Sequence, residues 1–129
     1  MELNELRVLV EQDSRIDDTQ LDTESLRLPA LHNKYLNFYH DAKLRYEKAS
    51  NEYNRLYRLK WEYYTGKIDQ ETLDKKGWEP FQHNILKQDI PIFMNSDEDL
   101  CKRKEVITYI KSIVEYLEEV VKEITFRHT

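Results

Sequence analysis

"ITYIKSIVEYLEEVVKEI", residues 107–124, decides the fold. Ile107, Ile110, Val114, Leu117, Val121 and Ile124 recur at steps of three and four, the spacing that keeps one face of an α-helix apolar. Ile113 and Val120, with Val106 just upstream, repeat every seven residues beside them. Three apolar positions per heptad make a seam broader than a two-stranded coiled coil needs. Such a helix is expected to lie wedged between two neighbours, and its six seam residues are expected to form an oligomer interface. Ser96, followed by Asp97, Glu98 and Asp99, marks its start, with acids where the helix dipole favours them.

Working back along the chain, a second stripe runs through Leu31, Tyr35, Phe38, Ala42, Tyr46, Ala49, Tyr53, Leu56 and Tyr63, and Lys60 falls on it. It predicts a long helix from about Ala30 to Thr65, ended by Gly66, with Asp22, Thr23 or Ser25 as its cap and Pro29 near its first turns. Leu3, Leu6, Leu9 and Val10 predict a short N-terminal helix, separated from the long one by the polar run "DSRIDDTQLDTES". Between the two long helices lies an irregular connector, in which Glu71 to Lys76 form a turn or two of helix stopped by Gly77, and "ILKQDIPIF" is expected to be extended.

Composition agrees. The 129 residues are 40% hydrophobic and 35% charged, with two glycines and three prolines, a balance that excludes a β-sandwich and favours long helices with narrow apolar stripes. One all-α domain spanning residues 1–129 is expected, gaining core by self-association. No run approaches a membrane span, the single cysteine, Cys101, excludes an internal disulfide, and the first residues lack the pattern of a signal peptide. A cytoplasmic protein without membrane contact is expected.

Catalytic chemistry finds no foothold. Two glycines cannot build a phosphate loop, and no HExxH, paired CxxC or EF-hand spacing occurs. His32, His40, His83 and His128 are scattered, and Cys101 has no histidine near it in sequence. No enzyme, cofactor or metal is expected.

What stands out is "LYRLKWEYYTGK", residues 56–67, with four aromatic and three basic residues in twelve positions. Leu56, Tyr57, Leu59, Trp61, Tyr63 and Tyr64 surround most of the helix circumference, so this end should be covered from several directions. Residues 34–67 hold eight basic residues against four acids, a net of +4, which leaves −9 for the rest of a chain whose total is −5. Cations that follow a phosphate backbone and rings on which bases stack are what sequence-tolerant single-strand binding requires. Plain packing against the connector or another subunit explains the rings equally, and a helical adaptor using this segment as a protein contact is the alternative.

Taken with "IDDTQLDTESLRLPALHNKYL" (16–36), "GWEPFQHNILKQD" (77–89) and "SDEDL" (96–100), this segment resembles the UvsY family of recombination mediators of T-even-like phages and cyanophages. The resemblance implies a helical protein assembling into a ring-like homo-oligomer. It also implies binding of single-stranded DNA and loading of a RecA-like recombinase, UvsX, onto DNA coated by the phage single-strand-binding protein. The family's basic pair falls on Arg58 and Lys60, in inverted order. Arg55, Arg58, Lys60, Trp61, Tyr64 and Lys67 are the expected DNA-binding residues. Family members continue beyond the position of "FRHT" with a basic helical tail that contributes to assembly.

Overall fold

The computed structural model describes residues 1–15, 21–81 and 83–128, the side chains of 21–26 and 127–128 excepted. Within them the chain is all-α: α1 (Leu3–Ser14), α2 (Leu21–Tyr64), α3 (Gln70–Lys76), a single 3-10 turn (Lys87–Asp89), α4 (Ile90–Ser96) and α5 (Glu98–His128). The expected short first helix, long central helix and C-terminal helix are all present.

Three local expectations shift. Helix α2 begins at Leu21 and carries Pro29 inside it, because a proline forfeits a rung of the hydrogen-bond ladder that a 44-residue helix can lose. Asp22, Thr23 and Ser25 are therefore helical, and residues 16–20 lie outside the described set. The segment "ILKQDIPIF" is not extended. Pro91 sits in the first turn of α4, where its missing N–H costs nothing. Ser96 closes α4, and the cap of α5 is Asp97, whose Oδ1 accepts from the Leu100 amide at 2.9 Å.

The chain divides into two compact units, residues 1–47 with 108–129, and residues 48–107. In the first, Leu6 of α1, Leu31, Tyr35 and Ala42 of α2, and Ile113, Leu117, Val120 and Ile124 of α5 form one buried cluster. The broad seam of α5 thus has its two neighbours within the same chain. Of the residues expected at an oligomer interface, Ile110, Leu117 and Ile124 are buried within the chain, and Val114 and Val121 pack against the cluster. Ile107, in the other unit, is half-buried. Apolar surface seeks cover without specifying whose. At one edge the Tyr35 hydroxyl and the Lys34 ammonium both donate to Asp13 Oδ2, at 2.7 and 2.8 Å.

In the second unit α3 is capped at both ends. Asp69 accepts from the Thr72 amide at 2.8 Å, and Gly77, at φ 69°, takes the left-handed conformation that closes the helix. That closure turns Trp78 back towards the end of α2, where Leu73, Met94 and Leu100 are also buried.

Candidate nucleic-acid interface

The end of α2 sorts its rings into two sets. Tyr63 and Tyr64 point into an aromatic cluster made by the connector: Tyr63 meets Trp78 at 5.5 Å and Phe81 at 5.7 Å, and Tyr64 meets Phe81 at 5.0 Å and Phe93 at 5.8 Å between centroids. These distances are those of edge-on and tilted packing. The Tyr63 hydroxyl donates to the Glu79 carbonyl at 2.6 Å. Tyr57 and Trp61 stay exposed. The cover expected for this helix end is therefore supplied in part by the chain's own connector.

The cations sort the same way. Lys60 is only 6% exposed. Its ammonium lies 2.9 Å from Asp99 Oδ2 and 3.1 Å from Asp97 Oδ2, and 4.2 Å from the centroid of Trp78. A buried charge is tolerated only when paired and hydrogen-bonded, and that condition is met. Asp97 also accepts from the Tyr64 hydroxyl at 2.5 Å. Burial pushes the Asp97 carboxyl up, but the Tyr64 hydroxyl, the Leu100 amide and Lys60 outweigh it, and its pKa lies below the usual value. Burial and the same contact with Asp97 raise the Tyr64 hydroxyl above its ordinary pKa. Lys60 and Tyr64, both expected to touch DNA, are thus engaged inside the protein: a charge on the apolar stripe is drawn into the packing side and answered there.

Arg55, Arg58, Trp61 and Lys67 remain at the surface. The Arg58 side chain is 84% exposed, with Nε 3.3 Å from Glu62 one turn on, a solvated pair that contributes little. Among the described residues no carboxylate lies within ion-pair distance of Arg55 or Lys67. Gly66, at φ 76°, ends α2 and lets the chain fold back so that the Lys67 and Ile68 amides both donate to the Glu62 carbonyl. This brings the Lys67 ammonium to 4.6 Å from the centroid of the Trp61 ring. These two residues line a groove of about 470 Å³, which His83, Asn84 and Lys87 of the connector also line. Sequence reasoning missed these connector residues. Its one signal was the cation Lys87 among polar residues between Pro80 and Pro91, too weak to place it in one groove with Trp61.

Among the described residues no cluster of histidine, cysteine or carboxylate groups could hold a metal ion, and no helix is long and apolar enough to cross a membrane. Fold and surface together define a helical protein that presents exposed rings and cations beside a groove. The chain belongs to the UvsY family, described as recombination, repair and ssDNA binding proteins, whose sequence model matches residues 9–128. Its fold is similar to that in crystal structures of the bacteriophage T4 recombination mediator protein UvsY. Two lattice forms superpose with a TM-score of 0.85 at 20% identity, covering 99% of this chain and 88% or 90% of the T4 chain. A third gives 0.82 at 19% identity, covering 96% and 89%. No curated protein sequence matches the chain.

Proposed function

We propose that this protein is a recombination mediator that binds single-stranded DNA and helps a RecA-like recombinase of the UvsX type to load onto a strand coated by single-strand-binding protein. The observation that carries the reading is the exposed strip Arg55–Arg58–Trp61–Lys67, a run of cations and an open ring on the last turns of α2 and just past its end, in a member of the UvsY family. Phosphates would meet Arg55, Arg58 and Lys67, and bases would stack on Trp61. Lys60 and Tyr64 support the site from within: they tie the end of α2 to Asp97 at the start of α5. The reading calls for no cofactor, no metal and no bond-breaking step, and it places the protein in the host cytoplasm during phage recombination and repair.

Assembly into a ring-like homo-oligomer belongs to the same proposal. Several copies presenting one strip each would gain affinity through multivalency, so that each contact can stay weak and exchangeable. A strand held this way is loosened from its resident coat and offered to the recombinase.

Exposed Leu86 and Ile92 in the connector favour a second reading, a helical adaptor working through protein contacts alone. Fluorescence anisotropy of a labelled 25-mer separates the two. The mediator binds single strands in preference to duplex, and Arg55→Ala/Arg58→Ala weakens binding by about tenfold or more, as expected for two lost charge-assisted contacts. An adaptor binds neither form, and an unchanged affinity in the double variant removes this strip as the site.

A further inference from the structure

We propose that the groove beside Trp61 takes a single unstacked nucleobase of the DNA strand, with its flanking phosphates held by Lys67 and Lys87. The inference rests on the single-strand reading above and adds to it which part of the strand is gripped, and where.

Trp61 is 36% exposed and, among the described residues, pairs with no other ring, whereas Tyr63, Tyr64, Phe81 and Phe93 spend their faces on one another. A ring left open at the rim of a groove is the one free to stack. Lys67 occupies one side of it at 4.6 Å, and the base takes the other. Neither Lys67 nor Lys87 has a carboxylate within ion-pair distance among the described residues, so both charges are available to phosphate. Arg58, by contrast, already leans on Glu62. Asn84, which also lines the groove, offers an amide NH2 donor group and a carbonyl acceptor to the edge of whichever base enters. About 470 Å³ falls in the range of small-ligand sites and leaves room for a base with part of its sugar. The floor is held in place, because Tyr64 is anchored to Asp97 and Met94 is buried. Aromatic face, two uncommitted cations and one adaptable amide suit a base on a polyanion.

The test compares a 25-mer of thymidines with a 25-mer of abasic tetrahydrofuran units, each titrated by anisotropy with wild type, Trp61→Ala, Trp61→Phe and Arg58→Ala, helicity being checked by circular dichroism. Wild type should bind the thymidine strand about tenfold tighter, the order expected for one stacked base. Trp61→Ala should bring that ratio close to one, Trp61→Phe should keep most of it, and Arg58→Ala should weaken both strands alike. Where alanine fails to fold, Trp61→Leu, bulky but without a π face, replaces it. Equal binding of both strands by wild type overturns the base groove while leaving single-strand binding intact, and points its lining to a protein partner. A ratio that survives in Trp61→Ala places the base elsewhere. Displacement of the strand by dTMP at equal nucleotide concentration would assign the groove to free nucleotides instead. Wild type that binds neither strand overturns the groove and the mediator reading together.

Discussion

A lysine with two carboxylates and an indole face around its ammonium has no charge left to offer a phosphate, and this is the situation of Lys60. The basic pair read from the sequence therefore divides. Arg58 faces solvent, and Lys60 fastens α2 to the first turn of α5. Removing one partner of a buried pair leaves the other charge uncompensated, so Lys60→Ala should lower stability by about 3 kcal/mol at pH 7. The loss should depend on acid. Asp97 has a folded-state pKa below its ordinary value of about 3.9, so the stabilisation from its ionised form is complete above that value. It is lost as pH falls through the lower folded one. Urea denaturation of wild type and Lys60→Ala at pH 7 and at successively lower pH should show the two curves converging, since a protonated Asp97 no longer needs a cation. A gap that stays constant into acid would mean that the cost comes from lost packing of the lysine stem.

At the level of the element, α5 shows how a broad seam is used. Ile113 and Val120 lie beside the 3-4 row and are buried with Leu117 and Ile124 against α1 and α2. Leu117 is 1% exposed. Leu117→Ala should then cost about 2–5 kcal/mol, the range for truncating a core leucine, and its denaturation midpoint should not vary with protein concentration by more than that of wild type does. A seam between subunits would behave otherwise: the variant would dissociate at sedimentation concentrations where wild type stays assembled, with a folded chain. Helix α2 makes the complementary point. Its end is apolar around most of its circumference, yet Tyr63 and Tyr64 are covered by a connector that contains Gly77, Pro80 and Pro91, while Tyr57 and Trp61 stay exposed.

For the whole molecule the question is how a chain of net charge −5 meets a polyanion. Residues 48–107 carry eleven basic and eleven acidic residues, so this unit is neutral and the whole −5 falls on the other one. Attraction must then come from placement rather than total charge. With Arg55, Arg58, Lys67 and Lys87 as the contacting set, about four phosphates are neutralised per copy. The logarithm of affinity for a short single strand should fall with the logarithm of salt at a slope of about −3. Anisotropy titrations between 50 and 300 mM salt, roughly the range in which counterion release dominates, would measure it. A slope near zero would show that phosphates are not what the protein holds.

Periodicity determined much of this protein unaided. The 3-4 spacing of Ile107 to Ile124 and the stripe from Leu31 to Tyr63 mark the long helices, and the glycines at 66 and 77 mark the ends of α2 and α3, because a helix buries every third or fourth residue whatever covers it. The exposed residues of the candidate site, Arg55, Arg58, Trp61 and Lys67, were legible as ring and cation chemistry concentrated at one helix end. Only the tertiary structure decided that the α5 seam packs on α1 and α2 of its own chain, that "ILKQDIPIF" runs into the 3-10 turn and α4, that Lys60 and Tyr64 turn inward to Asp97, and that His83, Asn84 and Lys87 line one groove with Trp61. Hydrophobic burial carries no label for its partner, and a lysine on an apolar stripe is silent about the carboxylates some 40 residues away that the fold brings within 3.1 Å.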